Sequence, residues 1–168
     1  MDQDRTVQIF ITGGTFDKDY NFITGELYFK DSHLKGMLER GRCNMPVDIK
    51  TLMMIDSLDM TSVEHDLIAY NCRQTNYENI VITHGTDTMT TTAKYLKSAD
   101  IAGKTIVLTG AMIPYAFGSS SDGFFNLGSA MAFAQCLEPG VYICMNGQCW
   151  DAEEAMKNRS TGYFQIKG

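Results

Sequence analysis

Asn79-Ile80-Val81-Ile82-Thr83-His84-Gly85-Thr86-Asp87-Thr88 is the stretch from which the fold is read. Asn79–Ile82 is an apolar, β-branched run without polar alternation, the pattern of a strand buried on both faces. A polar turn containing glycine follows at once, and Thr88 to Lys97 then has the length and spacing of a helix. Similar units recur along the chain. Val7–Ile11 runs into Thr12-Gly13-Gly14-Thr15, and Lys104–Leu108 into Thr109-Gly110-Ala111 and then a helix over Asp122–Gln135. Asp48–Met54 leads to Asp56-Ser57, and Val141–Cys144 to Asn146-Gly147. Near-continuous apolar strands separated by helices predict a doubly wound α/β fold, a mainly parallel sheet with helices on both faces.

The rest of the chain is less regular. Ser32 is read as the cap of a short helix through about Arg40. Thr61-Ser62-Val63-Glu64 has the capping-box form, with Val63, Leu67 and Tyr70 on one face of the helix behind it. Phe16 to Lys30 shows no steady period and reads as a long loop, and the tail from Trp150 stays undecided.

A chain of 168 residues suits one domain, 1–168, in which roughly 70% of the unfolded surface can be buried. Its composition, 44% hydrophobic and 20% charged, excludes a disordered or collagenous chain. Fourteen basic against twenty acidic residues give a net charge of -6, which argues against nucleic-acid and anionic-membrane partners. No apolar run approaches the roughly 20 residues of a membrane span. Met1-Asp2-Gln3-Asp4-Arg5 has acids where a signal peptide has bases, so a cytoplasmic protein is expected. The five cysteines form no C-x-x-C pair and the three histidines are scattered. No metal or other cofactor is expected, and each cysteine is read as a small buried hydrophobe.

In a doubly wound sheet, ligands bind beyond the carboxyl ends of the strands. The segments there would gather the hydroxyls of Thr12, Thr15, Ser57, Thr83, Thr86 and Thr109 on one rim, with glycines that let backbone approach a ligand. No P-loop, three-glycine dinucleotide turn or G-x-S-x-G is present. His84 is the only histidine on this rim, and a hydrogen-bonded structural role is the simpler reading of it. Threonine nucleophiles remain. A threonine hydroxyl needs a base or a proton relay, and Lys94, Lys157, Asp87 and Tyr20 are the candidates. Spacing alone supports a hydrolase or a site for an amino-acid-like ligand.

Three segments in order carry a more specific signal: Thr12-Gly13-Gly14-Thr15, His84-Gly85-Thr86-Asp87-Thr88-Met89, and Gly110-Ala111-Met112-Ile113-Pro114 running on to Ser121-Asp122-Gly123-Phe124-Phe125-Asn126-Leu127. Together they resemble the bacterial-type L-asparaginase family, from Ile9 to Lys157. The resemblance implies an amidohydrolase that converts L-asparagine to L-aspartate and ammonia through an acyl-enzyme. It assigns Thr15 as nucleophile and Tyr20, in a mobile loop, as the tyrosine that closes over substrate. It makes Thr86, Asp87 and Lys157 a triad, and it gives Ser57 and Asp87 the substrate's α-carboxylate and α-amino groups.

The resemblance also implies a homodimer or homotetramer, and it fits short-chain variants that lack a smaller C-terminal domain. Leu58 stands where many members carry glutamine, Ile113 where an arginine is familiar, and Phe16 where a smaller aliphatic is usual. The loss of a polar group at Leu58 leads to an expectation of selectivity for asparagine with modest affinity. Two other readings stand beside this one: a broader hydrolase of small amides such as glutamine, and a non-catalytic sensor of asparagine or aspartate.

Overall fold

The computed structural model describes residues 5–168; the first four, on which the reading of the amino terminus rested, lie outside them. Strand β1 (Val7–Gly13) opens the chain, followed by a turn at Thr15–Asp17 and the strands β2 (Lys18–Asn21) and β3 (Glu26–Phe29). Next come α1 (Leu34–Arg40), β4 (Val47–Ile55), α2 (Ser62–Gln74), β5 (Asn79–Thr83) and α3 (Met89–Ser98). Then follow β6 (Thr105–Thr109), α4 (Gly123–Cys136), β7 (Gly140–Met145), β8 (Gln148–Asp151), β9 (Ala155–Lys157) and β10 (Phe164–Ile166).

The main sheet has the order β4-β1-β5-β6-β7-β8. All neighbours are parallel except β8, which folds back on β7. Alternate residues of each inner strand feed two cores. Phe10, Ile80, Ile82, Ile106 and Leu108 pack beneath α2 and α3. Ile9, Ile11, Val81 and Val107 pack beneath α1 and α4. This two-sided burial is the physical reason these strands read as unbroken apolar runs.

Four readings are corrected or completed. The stretch read as a loop after Phe16 contains the antiparallel hairpin β2–β3, with Lys18 opposite Phe29 and Tyr20 opposite Leu27. Its turn is local chemistry: the Asn21 side chain accepts from the N–H groups of Ile23 and Thr24, and Gly25 takes a φ of 75°.

Helix α2 does begin with its capping box, Thr61 N–H donating to Glu64 Oε2 at 2.6 Å. Its Val63, Leu67 and Tyr70 face is exposed, however, and Ile68, Ala69 and Cys72 on the opposite side meet the sheet. Small residues at Ala69 and Cys72 let the helix lie close to the strands. Third, Cys43 and Cys136 are exposed, because they lie beyond α1 and at the last residue of α4. Fourth, the tail is ordered. Ribbon β9–β10, with Lys157 opposite Phe164, is anchored by the buried Phe164 ring and delivers Lys157 back to the sheet. Ser32 does serve the start of α1, its Oγ accepting from Leu34 N–H at 3.2 Å. No helix of the described residues is long and apolar enough to cross a membrane.

Candidate active site

The chain leaves β1 for β4 on one side and returns past β1 to β5 on the other. The strand order therefore reverses between β1 and β5, and a crevice forms beyond their carboxyl ends. Thr15 lies just past β1 and Thr86 just past β5. Glycines bring these loops into backbone contact. Gly14, at φ 77°, lies so close to Gly85 that a Cβ on it would run into the Gly85 backbone. A Cβ on Gly85 would lie 2.5 Å from Ser57 Oγ and 2.6 Å from Ser57 Cβ. The loops bearing Thr15, Ser57 and Thr86 are thus stacked with no room for side chains at the glycines.

Lys157 reaches this crevice from β9. Its Nζ donates to Thr86 Oγ1 and to Asp87 Oδ1, both at 2.8 Å, with only 12% of the side chain exposed. The Thr86 hydroxyl, accepting from Lys157, donates in turn to Met112 Sδ at 3.6 Å. Arg159 approaches Asp87 from the solvent side, Nη1 3.6 Å from Oδ1. Ser57 is buried, and its Oγ has no hydrogen-bond partner among the described residues. Asp56 caps the Ser57 turn by accepting from Leu58 N–H, and Thr88 Oγ1 donates to Ser57 O.

The structure therefore brings Thr86, Asp87 and Lys157 into direct contact, seats Ser57 against them and holds Thr15, half-buried, alongside. No hydrogen bond joins Tyr20 to Thr15 among the described residues. The Tyr20 ring is half exposed and rests against Phe117 at 5.9 Å. Lys94 lines the outer side of the Asp87–Lys157 pair together with Thr90. Asp87 does not cap α3: Thr88 holds that place, and the Asp87 carboxylate is taken by Lys157. Among the described residues no group of three or more His, Cys, Asp or Glu is placed to hold a metal.

A family model described as asparaginase, N-terminal, matches residues 6–167. The chain belongs to the asparaginase family. It is 34% identical over 143 residues to L-asparaginase 1 of Escherichia coli K12, covering 79% of this chain and 41% of that protein. To L-asparaginase 2 of the same organism it is 35% identical over 124 residues, 72% of this chain and 34% of the relative. Among solved structures, L-asparaginase I from Vibrio cholerae superposes with a TM-score of 0.81 at 27% identity, over 96% of this chain and 51% of that one. The chain thus spans about half the length of that solved relative.

Much of the asparaginase-family pattern in this chain is scaffold. Asp122 accepts from the N–H groups of Met112 and Ile113, each at 3.0 Å, and Asn126 Nδ2 donates to Gly110 O at 2.9 Å. Asn126 Oδ1 then receives Asn146 N–H, so the Ser121–Leu127 segment clamps the loops after β6 and β7. Thr12 and Thr109 turn their hydroxyls onto Thr83 O and Cys144 O and serve as straps between strands. Met112 and Arg159 are contacts that sequence reasoning missed. Met112 lies in one of the three motif segments, but nothing local marks its sulfur as a partner of Thr86, and only the folded tail brings Arg159 to Asp87.

His84 is fully buried, Nδ1 bonded to Gly85 O at 2.7 Å and Nε2 to Thr92 Oγ1 at 2.8 Å. A carbonyl oxygen only accepts, so Nδ1 carries the proton of a neutral ring. Burial pushes the His84 pKa down to about 4, from an ordinary 6.5. Between these two values the unfolded chain binds a proton that the folded chain refuses. Stability from this group is therefore complete above pH 6.5 and declines as pH falls toward 4, by a total of about 3 kcal/mol. Urea midpoints at pH 7 and pH 4.5 measure this, and His84→Gln is expected to show a smaller drop between the two.

Proposed function

We propose that this chain hydrolyses the side-chain amide of L-asparagine to L-aspartate and ammonia through an acyl-threonine, with residues 1–168 forming one catalytic domain. The observation that carries the reading is Lys157 bonded at once to Thr86 Oγ1 and Asp87 Oδ1, in a crevice shared with Thr15. Thr15 Oγ attacks the amide carbon. Its proton passes by way of Thr86 to the Lys157–Asp87 pair and is returned to the departing nitrogen as ammonia leaves. The Thr86 backbone N–H and a water stabilise the oxyanion. Water delivered through the same groups then cleaves the acyl-threonine, releasing aspartate and restoring Thr15.

The free, buried Ser57 hydroxyl suits the substrate's α-carboxylate, and Asp87 its α-ammonium. Both demands follow from a ligand that carries both charges. Selectivity for asparagine over glutamine rests on Leu58, which offers no polar group beside Ser57 to a longer amide.

Ammonia release from the purified chain with L-asparagine and with L-glutamine, beside Thr15→Ala, tests the proposal. Expected are turnover of asparagine, a loss of at least about 10²-fold in Thr15→Ala, and an efficiency for glutamine at least about tenfold lower. Equal efficiencies would remove the selectivity. No ammonia from either amide, with asparagine still raising the melting temperature, would replace hydrolysis by sensing.

A further inference from the structure

Three consecutive residues at the foot of the β2–β3 hairpin are tied by their side chains to other parts of the chain. Asp17, fully buried, accepts through Oδ1 from Ser32 Oγ at 2.8 Å and from His33 N–H at 3.1 Å, which closes the two ends of the hairpin on each other. Lys18 Nζ donates to Asp56 Oδ2 at 2.7 Å and lies over the Phe29 ring. Asp19 Oδ1 faces His33 Nε2 at 3.2 Å. Tyr20 comes next, its ring against Phe117, and beyond it Phe22–Gly25 are exposed.

Side chains two apart on a strand share a face, so Lys18 and Tyr20 project from the same side of β2. Lys18 shows where that side points: to Asp56, whose other oxygen caps the turn presenting Ser57.

We infer that the Lys18–Asp56 ion pair is a latch that couples the hairpin to the Ser57 turn and sets where Tyr20 stands over the crevice, which makes Lys18 and Asp56 positioning residues. The inference rests on the proposed reading of Thr15 and Ser57 as parts of one hydrolytic site, with Tyr20 carried beside it on the hairpin. The two side chains are only 17% and 34% exposed, so solvent screens them less than a surface pair. The hydrogen bond from Lys18 also holds the Asp56 carboxyl below the usual carboxylate range. A charge-assisted bond at this distance is strong enough to bias a hinge but weak enough to open.

Without the latch the hairpin samples more positions, and substrate must first select the closed one. Lys18→Met is expected to raise KM for asparagine about tenfold, the factor that ~1.4 kcal/mol represents, with kcat changed less than about twofold. Hydrogen–deuterium exchange of the amides in 18–29 should quicken by a similar factor. Asp56→Asn should do the same, the double variant should be no worse than either, and Lys18→Arg should restore both readouts.

Unchanged exchange in Lys18→Met, or additive effects in the double variant, would overturn the latch. The exchange readout needs no turnover. A chain that releases no ammonia but loosens its hairpin in Lys18→Met defeats the hydrolytic reading and leaves the latch standing. A chain that turns over with unchanged exchange defeats the latch alone.

Discussion

Lys157→Met is expected to lower kcat for ammonia release by about 10³-fold while the fold survives. The activity loss follows from position. Lys157 Nζ is the only side-chain nitrogen bonded to Thr86 Oγ1 among the described residues, so the proposed relay through Thr86 loses its next member in the variant. Stability is protected for a separate reason. Asp87 keeps Arg159 at 3.6 Å and is 38% exposed, so its charge is not left bare, and Thr86 keeps Met112 as acceptor. The loss in unfolding free energy should stay within about 1 kcal/mol, as for partly exposed ion pairs. Lys157→Arg sharpens the test, since guanidinium keeps the charge and cannot accept a proton at neutral pH. Rates with saturating asparagine, set beside urea midpoints, check both halves. An Arg variant with wild-type kcat would show that Lys157 only holds charge.

Gly85→Ala should be strongly damaging to the crevice. The added Cβ would lie 2.5 Å from Ser57 Oγ and 2.6 Å from Ser57 Cβ, and the opposite side of Gly85 is already in contact with Gly14. The Ser57 hydroxyl can rotate away but Ser57 Cβ cannot, so the loops bearing Thr15, Ser57 and Thr86 must separate. Overpacking of this kind destabilises by roughly 1–3 kcal/mol. The displacement acts on all three loops at once, and a shift near 1 Å at a reacting group lowers turnover by about 10²-fold. The urea midpoint and kcat/KM of Gly85→Ala measure the two effects. Gly103→Ala serves as the control, because its Cβ meets nothing within 4 Å, although its φ of 70° adds some local strain.

By itself the sequence determined the order of strands and helices, because strands buried on two faces must be apolar throughout. Val7–Ile11, Asn79–Ile82 and Lys104–Leu108 are legible for that reason. Capping chemistry was equally local: Thr61 and Glu64 meet within one turn of helix. The hairpin after Thr15 was not legible, since its short, half-exposed strands alternate too weakly and depend on the Asn21 turn for their register. Nor was the buried face of α2, where two apolar faces lie opposite each other and only the sheet chooses between them.

The crevice itself was decided by tertiary structure. Thr86 and Lys157 are 71 residues apart, and their 2.8 Å contact exists because β9 is anchored by Phe164 and returned to the end of β5. Lys18 and Asp56 meet across 38 residues for a similar reason. Residue types announce which groups can do chemistry, but a hydrogen bond across such a distance depends on how whole elements pack, and no local pattern encodes it.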